Sequence, residues 1–382
     1  MKTILIISFS DIARDPRVSR QAQILARHYD ITVAGTGKEP VDGVTSVFLD
    51  VPPRRLPTKL LDAALLKMGM FEKVYWHRET VRAALQSLTG RRFDLVLAND
   101  IDALPVASRL AGTAPVLMDA HEYSPREFEE SLVWRMIMQP YKDYLCRTYL
   151  PRAAGMLTVC QGIADEYARV YGVTPKVVMN APMEQDLRPV MPEDGRVRLI
   201  HHGVAMPSRH PEKMIEMMRF LDARFTLDFM LISARRDYLD HLAKLAAGDG
   251  RIRFVEPVAM PDIPRVCNQY DIGVFILPPV NFNYTHALPN KFFEFVQARL
   301  GVAIGPTPEM ASLVKHYKLG VVADSFDPGA LAGKLNALTT DDVIRLKENA
   351  HRAAGELNFE HSGEVLLCEV RRLLGEQEVC VE

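Results

Sequence analysis

The stretch Asp271–Gly305, DIGVFILPPVNFNYTHALPNKFFEFVQARLGVAIG, holds the pattern that decides the fold. An apolar run, DIGVFILPP, leads into a loop ending in Pro289-Asn290-Lys291. A helical segment carrying Glu294 follows, then a turn at Gly301 and a second apolar run, GVAIG. Strand, helix and strand in that order make one parallel crossover unit. The same rhythm runs outward in both directions. TILIIS, ITVAG, FDLVLAN, PVLMDA and GMLTVC recur before it, with the helical VSRQAQILARHY among them, and VRLIHHG, FTLDFMLIS, IRFVEP and GVVAD belong to its own half. Two doubly wound α/β domains in tandem account for both series. The Pro- and charge-rich NAPMEQDLRPVMPEDGR lacks apolar periodicity, so the expected division is a first domain over 1–180, a linker or hinge over 181–195 and a second domain over 196–360. A helix over 361–382 is free to pack on either lobe.

At 382 residues the chain exceeds one ordinary core. Its 48% apolar and 25% charged residues are globular usage, and a net charge of −2 supplies no global field toward nucleic acid. The five cysteines, Cys146, Cys160, Cys267, Cys368 and Cys380, show neither metal-ligand spacing nor a disulfide framework, and reduced, mostly buried thiols are expected. The first apolar run is too short for a signal segment, and no stretch approaches the roughly 20 apolar residues of a membrane span. A cytoplasmic protein is therefore expected. The segment 51–78, VPPRRLPTKLLDAALLKMGMFEKVYWHR, is basic and amphipathic, as an acceptor-binding or membrane-surface element would be, or simply a solvated face.

In open α/β sheets ligands sit beyond the carboxyl ends of the strands. That rule selects Asp11, Asn99, Asp100 and Asp119 to Glu122 in the first half, and His202 to Arg209, Ser233 to Arg236 and Pro278 to Lys291 in the second. A helix starting at Pro289 and Asn290 offers free N–H groups and a positive dipole end to phosphate. Lys291 adds a point charge there, and Glu294, one turn further on, suits ribose hydroxyls. Arg209 is the candidate for a bidentate phosphate contact, Lys213 for a monodentate one, and Arg235 is a weaker cation at the next strand end. Asp119, His121 and Glu122 cluster at one strand end, with Asp119 read as a turn cap. Asn99, Asp100 and Asp102 either bind acceptor hydroxyls or cap the next helix, and Asp11 has the same status. Asp15 and Pro16 are read as cap and first residue of the first helix, a structural role.

PNKFFEF, together with DIGVFILPP and GVAIGPTPEM, resembles the donor-site signature of family 4 glycosyltransferases. DPRVSRQAQILARHYDITVAG, NDIDALPVA, MDAHEYSPREF and VVMNAP extend the resemblance over nearly the whole chain. The resemblance implies a GT-B fold, two Rossmann-like domains facing each other across a cleft, retention of anomeric configuration and no required metal or other cofactor. It further implies a nucleoside diphosphate sugar held mainly by the C-terminal domain. Glu294 matches the second acid of the family's Glu-x7-Glu pattern. The first acid falls at His286, and backbone amides from Ala287 through Leu288 and Pro289 to Asn290 are expected in its place. Gly203 matches the glycine after the second domain's first strand, but Val204 replaces the basic residue that usually follows. His121 is expected to approach the donor sugar, with Glu122 orienting that imidazole or the acceptor. The function implied is transfer from a UDP-sugar, or a GDP-sugar, to a polysaccharide, a lipid-linked glycan or a small acceptor, with the protein in the cytoplasm or at the inner face of the membrane.

Three other readings are weighed. A GT-B-fold nucleotide-sugar 2-epimerase needs additional acid and base residues. A catalytically silent partner subunit is motivated by His286 and Val204. A dinucleotide-dependent dehydrogenase is opposed by ISFSDIARD, which stands where G-x-G-x-x-G belongs.

Overall fold

The computed structural model describes residues 1–37, 40–52, 56–192 and 195–376. Pro53, Arg54 and Arg55 of the basic segment, Glu193 and Asp194 of the linker, and the tail from Gln377, including Cys380, lie outside the described residues. The chain divides into two compact units. The first comprises Met1–Met179, Asn281–Asn283 and the residues from Ser362 onward; the second comprises Asn180–Val280 and Tyr284–His361.

The first unit holds a seven-stranded sheet in the order β3-β2-β1-β4-β5-β6-β7. Its strands are β1 (Thr3–Asp11), β2 (Asp30–Thr36), β3 (Thr45–Phe48), β4 (Leu95–Asn99), β5 (Val116–Ala120), β6 (Gly155–Thr158) and β7 (Lys176–Val177). All pairings are parallel. Strands covered by helices on both faces must be apolar along their whole length, and Ile4–Ile7, Leu95–Ala98 and Leu117–Met118 are accordingly buried. Strand order reverses between β1 and β4, which places a switch point at their carboxyl ends, Asp11 and Asn99.

The second unit repeats the plan with six parallel strands in the order β10-β9-β8-β11-β12-β13. These are β8 (Val197–Val204), β9 (Phe225–Ile232), β10 (Ile252–Phe254), β11 (Ile272–Phe275), β12 (Gly301–Ile304) and β13 (Gly320–Val322). Its switch point lies between β8 and β11. The helix Asn290–Gln297 connects β11 to β12, as the opening stretch of sequence implies.

Asp15 caps the helix Pro16–Leu25, accepting from the N–H groups of Arg17 and Val18, and Pro16 is its first residue. Arg17 then reaches through the core: its Nε and Nη2 donate to the two oxygens of Asp119 at 2.6 Å each, and its Nη1 donates to the carbonyl of Val178 at 2.8 Å. Asp119 therefore does not cap a turn. It anchors the first helix to β5, because a fully buried carboxylate is tolerated only with a cation and donors around it.

The segment after Asn180 is irregular but held. The Arg299 guanidinium donates to the carbonyls of Gln185 and Leu187, Gln185 N–H donates to Gln297, and Asn268 donates to the carbonyl of Arg188. These bonds tie residues 185–188 to the second unit. The helix Phe359–Leu373 packs on the first unit from Ser362 onward, where Glu369 pairs with Lys176 at 2.7 Å and Arg372 donates to the carbonyl of Ala154. Cys146, Cys160 and Cys267 are buried free thiols, whereas Cys368 is disulfide-bonded, which corrects the expectation of reduced cysteines at that position. No helix among the described residues is long and apolar enough to cross a membrane.

Arg17→Met leaves the Asp119 carboxylate buried without its cation, and is expected to cost about 3 to 5 kcal/mol in chemical denaturation. Arg169→Met, which breaks the exposed pair with Glu166, is expected to cost less than about 1 kcal/mol in the same measurement.

Candidate functional site

In the second unit the strand β8 ends in His201-His202-Gly203, and the three residues are held under Lys291. Gly203 has φ +119°, a conformation L side chains rarely adopt, and a Cβ on it would lie 3.3 Å from Lys291 Nζ. Glycine is required there twice over. His201 is buried with Nδ1 2.9 Å from the carbonyl of Val274, so Nδ1 carries the proton and the Nε2 lone pair faces Lys291 Nζ at 3.3 Å. The ammonium also lies 4.2 Å from the centre of the Phe275 ring.

Lys291, expected as a point charge at this place, is buried. Burial pushes its pKa well below the usual lysine value, Arg209 pushes the same way, and Glu294 opposes them. His201 is pushed well below its ordinary value by burial first and by Lys291 second. His202 is lowered to about 3 by the same two causes and is neutral at physiological pH. Its Nε2 lies 3.6 Å from Glu294 Oε2, too long for a hydrogen bond, and lacks any other hydrogen-bond partner. Asn290 Oδ1 and Thr307 Oγ1 are also buried with no hydrogen-bond partner. Such groups are rare in folded proteins and are satisfied by an ordered water or a ligand.

Several expected residues converge here and some do not. Gly203, Arg209, Lys291, Asn290 and Glu294 do: Arg209 and Glu294 both act on the charge of Lys291. The amides from Ala287 to Asn290 are only partly available, because Ala287 N–H is turned toward the carbonyl of Tyr284, Pro289 has no N–H, and Leu288 is buried. His286, at the position of the missing acid, lies 3.1 Å through Nδ1 from Glu309 on the helix Pro308–Tyr317. A carboxylate therefore stands beside position 286 after all, supplied from another element, and the sequence reading missed it although GVAIGPTPEM contains it. Arg235 is exposed, with its guanidinium 2.7 Å from Asp237.

In the first unit a cavity of about 240 Å³ is lined by Asp100, Asp102, His121, Glu122, Ser124, Glu127 and Lys142. Asp100 has φ +61°, strained for a residue with a side chain. The strain turns its carboxylate back to β5, where Oδ1 accepts His121 N–H at 3.0 Å and Oδ2 lies 3.6 Å from His121 Nδ1. On the other side of the ring, Nε2 lies 2.9 Å from Asn99 Oδ1 and 3.6 Å from Asp119. Burial disfavours the imidazolium, but Asp100 and then Asp119 outweigh it and push His121 up to about 9. Burial likewise opposes the charge on Asp119, and Arg17 overcomes it, holding that carboxyl well below its usual range.

Glu122 does not orient the imidazole as expected; Asp100 and Asn99 do, and Glu122 Oε2 accepts instead from Asn283 at 3.5 Å. Asn99 lies beneath His121 rather than in the cavity wall. Asp11 faces Arg14 at 3.6 Å and does not line the cavity. Asp102 is held by Arg78 at 2.6 Å and by Lys142, which also lies 3.7 Å from Glu127. Glu127 and Lys142 were not legible as site residues, since neither follows a strand.

No family model and no curated protein matches this sequence. Solved structures do match, over nearly the whole chain. Anabaena HepE in complex with UDP-glucose is 15% identical, with a TM-score of 0.70 over 97% of this chain and 100% of that one. Sucrose-phosphate synthase from Thermosynechococcus elongatus is 14% identical, with a TM-score of 0.73 over 98% and 100%. WaaG, a glycosyltransferase involved in lipopolysaccharide biosynthesis, is 12% identical, with a TM-score of 0.63 over 94% and 98%. The chain has the GT-B fold. Within this GT-B chain each set of converging residues lies at the carboxyl ends of its own sheet's central strands, beside the switch point, where open α/β sheets bind ligands.

His121 is expected to titrate near pH 9 by NMR, falling toward the free value of roughly 6.5 in Asp100→Asn. Because the folded pKa is the higher one, the stabilisation is complete below about pH 6.5 and is lost as pH rises through about 9. Asp100→Asn should therefore destabilise the protein more at pH 6 than at pH 10.

Proposed function

We propose that this protein is a retaining glycosyltransferase that moves a hexosyl group from a UDP-sugar to a hydroxyl of a polysaccharide, lipid-linked glycan or small acceptor. The second unit holds the donor and the first unit the acceptor. The carrying observation is the group at the end of β8. There Gly203 takes a conformation that favours glycine, under a buried Lys291, with Arg209 and Glu294 close enough to act on its charge and the buried His202 Nε2 and Asn290 Oδ1 on neighbouring residues without a hydrogen-bond partner among the described residues. A diphosphate at this place restores full charge to Lys291 and meets Arg209 and the start of the helix Asn290–Gln297. Glu294 receives the ribose hydroxyls. The UDP-glucose in HepE and the UDP-forming trehalose-phosphate synthase from Burkholderia vietnamiensis, also among the structural neighbours, favour uridine over guanosine.

In the proposed reaction the bond from the anomeric carbon to the β-phosphate oxygen breaks with its electron pair passing to the phosphate. The acceptor oxygen bonds to the same carbon from the same face, and its proton passes to the departing phosphate. Negative charge grows on the phosphate as this occurs. Lys291 and Arg209 therefore stabilise the transition state more than the bound ground state, which is the source of rate. His121, held as an imidazolium below about pH 9, serves as a hydrogen-bond donor to sugar hydroxyls rather than as a base. A 2-epimerase needs a base of that kind, so this charge state favours transfer.

Calorimetry with UDP, GDP and their sugar conjugates tests the donor site. Micromolar-range binding of a uridine nucleotide is expected, weakened by about 1.5 to 3 kcal/mol in Glu294→Ala, which is tenfold or more in Kd. A folded protein that binds none of them overturns the donor assignment, and binding without turnover on any acceptor supports the silent-subunit reading.

A further inference from the structure

Every side chain that lines the cavity of the first unit is polar. An acyl or isoprenyl chain seated there would leave those groups dehydrated and unpaired, so the wall suits a hydroxylated ligand. At about 240 Å³ the space falls below the roughly 300 to 1,000 Å³ of sites for drug-sized ligands, and it holds one ring rather than an oligosaccharide. Asp100, Asp102, Glu122 and Glu127 set four acids in the wall. Even with His121 protonated, and with Arg78 behind Asp102 added to Lys142, three cations face those four acids. A phosphate or carboxylate entering here meets like charge.

Three of the four carboxylates are committed to the protein itself. Asp100 accepts the N–H of His121 at 3.0 Å, Asp102 is held by Arg78 and Lys142, and Glu122 accepts from Asn283 at 3.5 Å. Glu127 differs. It follows the short turn Ser124–Arg126, which packs on the helix Leu132–Tyr149. Lys142 of that helix donates to Asp102, and its ammonium comes no closer to Glu127 than 3.7 Å, longer than a hydrogen bond. The Glu127 side chain keeps 29% of its surface exposed in the cavity wall. Burial raises its pKa, Lys142 opposes the rise, and Asp100 and Asp102 add to it. A carboxylate that keeps lone pairs in the folded protein accepts strong hydrogen bonds from a ligand's hydroxyls.

We infer that this cavity seats one uncharged sugar ring of the acceptor, that Glu127 accepts hydrogen bonds from its hydroxyls and so sets its specificity, and that rings bearing phosphate or carboxylate are turned away. This assignment rests on the proposed function and narrows the acceptor classes named there. A polymeric or lipid-linked glycan enters by a neutral terminal residue, and any lipid or phosphate it carries stays outside the cavity.

Saturation-transfer NMR on the full chain tests it, with methyl glucoside, methyl galactoside and methyl mannoside as neutral rings, methyl glucuronide and glucose 6-phosphate as anionic ones, and calorimetry with UDP alongside. At least one neutral ring is expected to bind in the millimolar range and to shift the His121 imidazole resonances, with the anionic rings at least about tenfold weaker. Glu127→Ala should keep the wild-type circular dichroism and weaken the neutral ring about tenfold or more, as loss of a charged hydrogen-bond partner does. Glu127→Gln keeps an oxygen acceptor but removes the charge. It should therefore retain part of the neutral binding and narrow the gap to the anionic rings, which a merely structural role for Glu127 would not do. Anionic rings bound as well as neutral ones, or neutral binding unchanged in Glu127→Ala, would overturn the inference. UDP bound with no neutral ring bound would overturn it too, while leaving the donor reading intact. Neutral rings bound as expected with no UDP bound would sustain the cavity assignment and overturn the donor reading instead.

Discussion

The ammonium of Lys291 lies against His201, Phe275 and the backbone of Gly203, and the strand ends of the second unit are arranged around it. A buried cation imposes demands on every neighbour. Residue 203 must lack a side chain, His201 must turn its lone pair inward, and an aromatic face must stand where a polar group would otherwise be needed. A second glycine makes the approach possible: a Cβ on Gly273 would fall 2.2 Å from the ring of Phe295, so its absence lets the helix Asn290–Gln297 lie close on β11. The helix carrying Lys291 and Glu294 is thus set by two positions without side chains on neighbouring strands. Burial disfavours the charged form of this lysine, and an anion bound beside it would restore the charge.

The first unit solves a related problem with the opposite sign. Asp119 is a buried carboxylate, satisfied by Arg17 from the first helix and further by Gln21. With that charge fixed, Asp100 and Asp119 together hold His121 protonated above neutral pH. Asp100 reaches its place only by a strained backbone, and strain of this kind persists where surrounding structure and use both require it. The two units therefore treat the basic groups at their strand ends in opposite ways: burial disfavours charge on the lysine of one, and carboxylates sustain it on the histidine of the other.

Much of the architecture was legible in the sequence. Parallel strands buried on both faces have to be continuous apolar runs, and every run quoted from the sequence is a strand. The edge strands β3 and β7 were not read, since TSVF and KV are short and only partly buried. Gly203 and Lys291 were picked out by their positions after strands, and Glu294 by its place in the helix and by the resemblance. The environment of Lys291 was not, because burial depends on Phe275 and His201, which sit on two other strands. Glu309 was passed over for a similar reason: its partner, His286, is 23 residues away in sequence. The pairing of Arg235 with Asp237, two residues on, was not read from its place after a strand. The segment 51–78 was read as basic and amphipathic, but which side of its helices faces solvent is settled only by packing against the neighbouring helices.

Under the proposed function, this GT-B chain would hold a nucleotide sugar over Lys291 and receive its acceptor beside His121. The most direct test is a crystal structure of the protein grown with UDP-glucose. The account expects the diphosphate over Gly203, in contact with Lys291 and Arg209, and the ribose hydroxyls on Glu294. Nucleotide bound elsewhere, with the Lys291 pocket unchanged, would contradict it.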